Sequence, residues 1–473
     1  MTLQDVFVAI VLIGLVLLLG KLIRRKVRLF QRLYMPSSII GGLIALLLGP
    51  QVLGALVQRL RGGAAFAADG VWPEATLEVW SGLPGLLISV VFAGLFLGKT
   101  IPRISEIWKQ AGPMVAHGQT LAWGQYVVGI TLALVVLIPV WDVSPLAGAL
   151  IEIGFEGGHG TAAGLSETFA ELGFGEGSDL ALGLATIGVV AGVLFGTLLI
   201  NWGIWRGHIP RPDAVDEPSP EDLSEHEDRE PTPAEHRMSD RAIDPLSIHI
   251  GFVGLAIAVG WLLLRALIMM EEALLVPIGW PELMRHIPLF PLAMIGGVLV
   301  QILGTRLGYA RTIDRRLMNR ISGTALDLLI VAALGTLSLE AIGANMGPFL
   351  VLAVGGILWN MFGLMVLARV MFPENWMQNG LANFGQGMGM TVIGLLLVRM
   401  SDPHGKAGAM EAFGYKQLLF EPVVGGGLFT AASLPLIHQF GPLPVLAGVT
   451  ALMIGWLVFG IMRFGPSSGP VSE

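Results

Sequence analysis

The sequence predicts an all-α polytopic membrane protein, an inverted repeat of two five-helix halves, each with a re-entrant glycine-rich hairpin. Three observations carry this expectation. Of 473 residues, 54% are hydrophobic and only 13% charged, with a mean hydropathy of +0.72; a soluble chain carries about a quarter charged residues. The apolar residues are gathered into runs near the length that crosses a bilayer core of about 30 Å. Two glycine-rich stretches break the later part of each half at corresponding places. Cysteine is absent, which excludes disulfides, thiolate chemistry and cysteine-based metal sites.

Eleven runs qualify as spans, at about 5–23, 36–57, 80–98, 119–141, 179–204, 246–269, 287–305, 322–342, 347–368, 414–437 and 441–462. The first, Val6–Leu22, reads as a retained helix, because its positive charges follow the apolar stretch and no small-residue cleavage site ends it. Lys21, Arg24, Arg25, Lys26, Arg28 and Arg32 follow this run, and Arg306, Arg311, Arg315, Arg316 and Arg320 follow the seventh. An N-terminus outside places both patches in the cytoplasm. Of the 28 Lys and Arg, only Arg59, Arg61, Arg265 and Arg285 then fall outside, with Lys416 counted among the inner loop charges. Counting either glycine-rich stretch as one crossing would invert every later loop, so both are read as hairpins, at about 145–170 and 377–399. The last run, 441–462, brings the C-terminus inside. Trp72, Trp80, Trp141, Trp280 and Trp376 lie at span ends and read as interfacial anchors.

Residues 206–245 hold 12 of the chain's 35 acids, with 5 Arg and 7 Pro. Such a segment buries too little apolar surface to offset the ordering of its backbone, so a flexible cytoplasmic linker is expected. It separates a first membrane repeat, 1–205, from a second, 246–440, with 441–462 an additional transmembrane helix. Five spans per half is an odd number, so the second half starts from the opposite side, as in an inverted repeat.

The broken stretches are Ile153-Gly154-Phe155-Glu156-Gly157-Gly158-His159-Gly160-Thr161-Ala162-Ala163-Gly164 and Asn383-Phe384-Gly385-Gln386-Gly387-Met388-Gly389-Met390-Thr391. Backbone at membrane depth has to be bonded internally or line protein or a wet cavity. A helix interrupted there presents N–H groups to anions and C=O groups to cations. Helix packing is the alternative use of membrane glycines, and is the reading for Gly183, Gly188, Gly192, Gly196, Gly251, Gly254 and Gly260.

Glu156-Gly157-Gly158-His159-Gly160-Thr161, with Phe174-Gly175 and Ala185-Thr186-Ile187-Gly188, resembles the first signature of the sodium-dependent glutamate symporter family. Asn383-Phe384-Gly385-Gln386-Gly387-Met388-Gly389 resembles its second, and Met35-Pro36 with Gly41-Gly42-Leu43 its early Pro and Gly-Gly region. The resemblance implies a bacterial inner-membrane carrier of ten spans and two re-entrant loops, homodimeric, taking up glutamate with Na⁺. The sequence departs from the family at Ala382-Asn383 and Met390-Thr391-Val392, where a His-Cys pair and an Ala-Thr-Pro are usual, and at Glu156, where a small hydroxyl residue is usual. The apparent eleventh span is a further departure.

Candidate substrate-binding groups are Gly157, Gly158, His159, Gly160 and Thr161 in the first stretch and Asn383, Gly385, Gln386, Gly387 and Thr391 in the second. The His159 N–H would complement a carboxylate, and Asn383, Gln386 and Thr391 suit orientation of a substrate rather than acid–base chemistry. Glu156, Asp327 and Glu421 are the candidate ion-coupling acids, because an ionisable residue at membrane depth is a functional candidate by default. Glu152 stands four residues before Glu156, so a helix would put both on one face. No P-loop accompanies the glycines, no resident cofactor or metal site beyond transported Na⁺ is read, no catalytic group is assigned, and no nucleic-acid partner is expected. The leading function is a secondary carrier for a small anionic amino acid driven by Na⁺. H⁺ coupling, another organic anion, a channel and a membrane sensor are the competing readings.

Overall fold

The computed structural model describes residues 2–32, 35–61, 66–99, 104–210, 245–278, 282–309, 312–372, 374–402 and 405–465. Most of the linker expected at 206–245 lies outside the described residues, as do Arg103, Trp280 and Arg311. Every regular element among the described residues is a helix, and eleven helices are long and apolar enough to cross a membrane. That is the outcome lipid imposes on long apolar runs, since helical backbone satisfies its own polar groups.

Leaving aside the short helices Arg28–Arg32, Ala55–Arg61, Ile138–Trp141, Leu339–Ala344 and Ala368–Met371, the helices in chain order are α1 (Leu3–Lys26), α2 (Ser37–Leu47), α3 (Glu74–Gly94), α4 (Ile104–Leu132), α5 (Gly158–Gly164), α6 (Ser166–Glu171), α7 (Glu176–Trp205) and α8 (Pro245–Met270). Then follow α9 (Leu289–Arg306), α10 (Arg315–Gly335), α11 (Met346–Phe362), α12 (Trp376–Ser401), α13 (Ala409–Phe420), α14 (Leu428–Phe440) and α15 (Pro442–Phe464). The ends of α1 show why the chain turns helical there. Thr2 and Asp5 form a reciprocal capping box at its start, and Arg24, Arg25 and Lys26 fill its last turn, where the helix dipole favours cations.

Two packing groups emerge. Helices α1, α2, α3, α8, α9 and α10 pack on one another, and α4, α7, α11, α12, α13 and α15 form a second group. The short helix α5 belongs to the second through α7 but also leans on α3 and α10 of the first. A Cβ at Gly164 would stand 3.3 Å from Ile88 Cβ, and one at Gly160 would stand 3.0 Å from Ile88 Cδ1. The seam between the groups therefore passes along α5.

Small residues set the closest crossings within the groups. Gly260 of α8 rests on the backbone of Ala293 in α9, and Gly188, Gly192 and Gly196 of α7 form a face against Met388 and Leu397 of α12. Gly183 meets Phe349. Gly251 and Gly254, expected to pack, face open space instead. Trp80 departs from expectation in the other direction. It is fully buried and its indole N–H donates to the Ala9 carbonyl at 3.0 Å, so it is a core residue and not an interfacial anchor.

Ten of the eleven expected runs coincide with long helices. The run at 414–437 does not: it is two helices, α13 and α14, separated by Glu421–Gly427. Pro422 offers no N–H, and Gly425 and Gly426 adopt φ of +70° and +97°, a region a side chain disfavours. Run length and apolarity cannot register such a turn. The stretch at 145–170 is broken as expected, into a 3₁₀ turn (Pro145–Ala149), a π-turn (Glu152–Glu156), α5 and α6.

Helix α12 has the bounds of a single span, yet Gly389 (φ −156°, ψ 49°) and Met390 (φ 65°, ψ 176°) are not helical. Its two arms double back. A Cβ at Gly385 would lie 2.8 Å from the Gly394 Cα, whereas a straight helix would separate residues nine apart by about 13.5 Å. The helices preceding the two glycine-rich stretches also match. Each ends in a π-turn and one further turn, Ala133–Leu137 with Ile138–Trp141 after α4 and Gly363–Leu367 with Ala368–Met371 after α11.

Candidate functional site

The three backbone breaks converge. Gly158 (φ +71°) opens α5, and a Cβ there would overlap the Met390 side chain, so the first and second breaks abut. The third break closes on the first. Gly425 N–H donates to Glu152 Oε1 at 2.7 Å, and a Cβ at Gly426 would lie 2.6 Å from Thr161 Oγ1.

Three acids and a lysine are buried at this meeting point: Glu152, Glu156, Glu421 and Lys416. Glu152 is saturated. It accepts from Tyr126 OH at 2.5 Å and Thr430 Oγ1 at 2.9 Å as well as from Gly425. Glu156, on the same π-turn, accepts one long bond, from Gln125 Nε2 at 3.4 Å. That amide also donates to the Gly387 carbonyl at 2.8 Å, which Asn360 Nδ2 meets at 3.0 Å. Glu421 Oε1 accepts from Thr391 Oγ1 at 3.1 Å, while its Oε2 has no partner.

Paired amides link the second break to α13. Gln386 and Gln417 bond reciprocally at 3.0 and 3.3 Å, Gln417 Nε2 also donates to Thr391 Oγ1, and Lys416 Nζ donates to Gln386 Oε1 at 2.8 Å. Asn383 donates to the Met114 carbonyl and to His117 Nδ1, whose Nε2–H in turn meets the Gly363 carbonyl. Its Oδ1 remains without a partner, as do Gln125 Oε1 and Thr161 Oγ1. Buried polar oxygens left unpaired are costly, and oxygens are the donors that hard cations take. Among the described residues no group of three or more His, Asp or Glu forms a metal-ligating cluster.

His159 points elsewhere than expected. Its Nε2 lies 3.0 Å from Thr186 Oγ1, and Thr186 donates its own hydroxyl to the Leu182 carbonyl. These bonds assign the proton to Nε2 and leave Nδ1, buried and unpaired, as an acceptor. An acceptor complements an ammonium, not the carboxylate expected from the sequence.

The structure brings together Gly157, Gly158, Thr161, Asn383, Gln386, Gly387, Thr391, Glu156 and Glu421. Gly160 stands at the seam, and Gly385 serves the contact between the arms of α12. Asp327 is separate: its polar neighbours are Ser38 and Lys21, between α1, α2 and α10. Sequence reasoning missed Gln125 and Tyr126 as members of the site, although polar residues inside the apolar run of α4 were the available signal. It placed Lys416 among loop charges, and the structure corrects this, with the side chain fully buried.

A family model described as sodium/glutamate symporter matches residues 2–393. The match ends within α12, so Lys416, Glu421, α14 and α15 lie beyond it. No curated protein matches the chain.

Proposed function

We propose that this chain, which belongs to the sodium/glutamate symporter family, is a secondary active transporter importing glutamate or a related anionic amino acid with Na⁺. The observation that carries the reading is the convergence of three helix breaks on Glu152, Glu156, Glu421 and Lys416. Interrupted backbone supplies N–H and C=O groups at membrane depth, and acids with unsatisfied oxygens supply cation ligands. In this reading Glu156 and Glu421 hold the coupling ion together with Thr161 and Thr391. The substrate lies against Asn383, Gln386 and His159, whose Nδ1 accepts from its ammonium. Coupling requires that substrate and ion each bind more tightly in the presence of the other.

The two glycine-rich stretches act as re-entrant hairpins of an inverted repeat. The shared π-turns before them and the doubled-back arms of α12 support this. The transporter sits as a homodimer in a bacterial inner membrane, with the N-terminus outside and the central loop and C-terminus cytoplasmic, the arrangement the Lys and Arg distribution favours. Asp327, whose polar neighbours are Ser38 and Lys21 and not the groups at the breaks, is left out of the coupling site.

Proton coupling is the second reading. It is favoured by Glu156, whose single long hydrogen bond leaves a buried carboxylate that one proton would neutralise as well as Na⁺. Purified protein in sealed vesicles separates the two. A Na⁺ gradient alone is expected to drive glutamate above its outside concentration. Accumulation under a pH gradient alone would establish the proton reading, and equilibration without accumulation would establish a channel.

A further inference from the structure

We propose that Lys416 selects the negative charge of the substrate side chain, its ammonium standing against the side-chain carboxylate. The assignment rests on the transport reading above and deepens it. Lys416 is fully buried on α13. Its Nζ lies 3.6 Å from the centre of the Phe420 ring and 5.4 Å from that of Phe413, and its one hydrogen bond is to Gln386 Oε1. Among the described residues it forms no ion pair within 4.0 Å. Glu156 and Glu421 are its charged neighbours, each accepting a single hydrogen bond, from Gln125 and Thr391, and neither within ion-pair distance of Nζ. A buried ammonium without an ion partner is costly, and removing such a charge is tolerated better than leaving it alone. With the coupling ion held by Glu156 and Glu421, as proposed above, an anion arriving with the substrate becomes the direct ion partner of Lys416.

Lys416 Nζ and the unpaired Asn383 Oδ1 both pack over Gly118, where a Cβ would lie 2.7 Å from Nζ and 3.2 Å from Oδ1, so only glycine lets the ammonium sit there. The Gln386 amide, whose oxygen takes the Lys416 bond, donates once, to Gln417, and keeps a second N–H for a ligand. The acids Glu152, Glu156 and Glu421 would repel an anion from the rest of the site, so a single fixed cation determines whether a carboxylate or a neutral amide is preferred.

The test is Lys416→Met in purified protein reconstituted into vesicles, with glutamate and glutamine each competing for uptake across Na⁺ concentrations. Glutamate apparent affinity is expected to fall about thirtyfold, the scale of one lost charge-assisted bond. Glutamine is expected to match or exceed it, the Na⁺ dependence to stay unchanged, and Lys416→Arg to keep the preference for glutamate. If Lys416→Met is not recovered as monodisperse protein, Lys416→Gln is measured the same way. Equal loss for both solutes would reduce Lys416 to a structural role and overturn the proposal. Unchanged glutamate affinity with a steeper Na⁺ dependence would also overturn it, and would make the ammonium a tethered substitute for a coupling ion. Wild-type protein that accumulates a neutral solute but no anion would overturn the transport reading itself, whereas wild-type glutamate uptake with an unaltered variant overturns only the role of Lys416.

Discussion

In the proposed transport reading, single side chains at the breaks divide into holders of structure and holders of cargo. Glu152 accepts three hydrogen bonds that tie the π-turn to α4 and to the third break. Glu152→Gln is expected to lower thermal stability by about 2 kcal/mol, because a carboxylate loses charge-assisted acceptors and gains a misplaced donor, and to leave the Na⁺ dependence of uptake as it was. Glu156→Gln is expected to do the opposite, changing Na⁺ dependence with little change in unfolding temperature. Calorimetry and uptake on the same preparations check the pair, and equal effects from the two substitutions would remove the distinction. For His159→Ala, loss of an acceptor to an ammonium would weaken glutamate apparent affinity about thirtyfold. Substrates lacking the amino group should be indifferent to it, which competition with a dicarboxylic acid measures. The glycines, the histidine and Glu156 were legible in the sequence because they stand together. Lys416 was not, since it follows a stretch rich in charges and only tertiary packing buries it.

At the level of elements, helix interruption is written in two dialects. The first two breaks carry dense glycine and were readable as such. The third hides inside a mostly apolar run where Glu421-Pro422 and Gly425–Gly427 look like ordinary span residues, and the positive φ of Gly425 and Gly426 is what exposes it. Met390 shows the reverse case, a non-glycine residue held at φ 65°, a conformation that costs about 1–3 kcal/mol. Met390→Gly should relieve part of that cost and raise the unfolding temperature. Gly426→Ala, at φ +97° and against Thr161 and Phe92, should lower it and abolish uptake without preventing membrane insertion. Thermal unfolding of both purified variants tests the contrast, and a stabilising Gly426→Ala would contradict the geometry.

For the whole molecule, the two helix groups meet along α5, and alternating access requires this seam to rearrange. The native chain contains no cysteine, so an introduced pair is unambiguous. Ile88→Cys with Gly164→Cys places two Cβ atoms 3.3 Å apart before relaxation, close to disulfide geometry. Oxidation of this double variant should arrest uptake, and a reductant should restore it. Transport that continues at full rate in the cross-linked protein would show that the two groups do not slide at this point. The helical class and most element positions were readable from run length, because lipid leaves the backbone few alternatives. The division into two groups was not, since it depends on which small-residue faces find each other, and such faces occur on nearly every helix.

The thioether of Met390, lodged against Gly158, has a chemical liability. Oxidation to the sulfoxide adds a polar oxygen and a fixed stereocentre to a side chain pressed against the Gly158 backbone. Peroxide-treated vesicles should lose uptake and regain it with methionine sulfoxide reductases, while Met390→Leu vesicles should resist. Equal loss in that variant would assign the damage to another of the 20 methionines. The junction of the first two breaks would then also make the proposed import sensitive to oxidants.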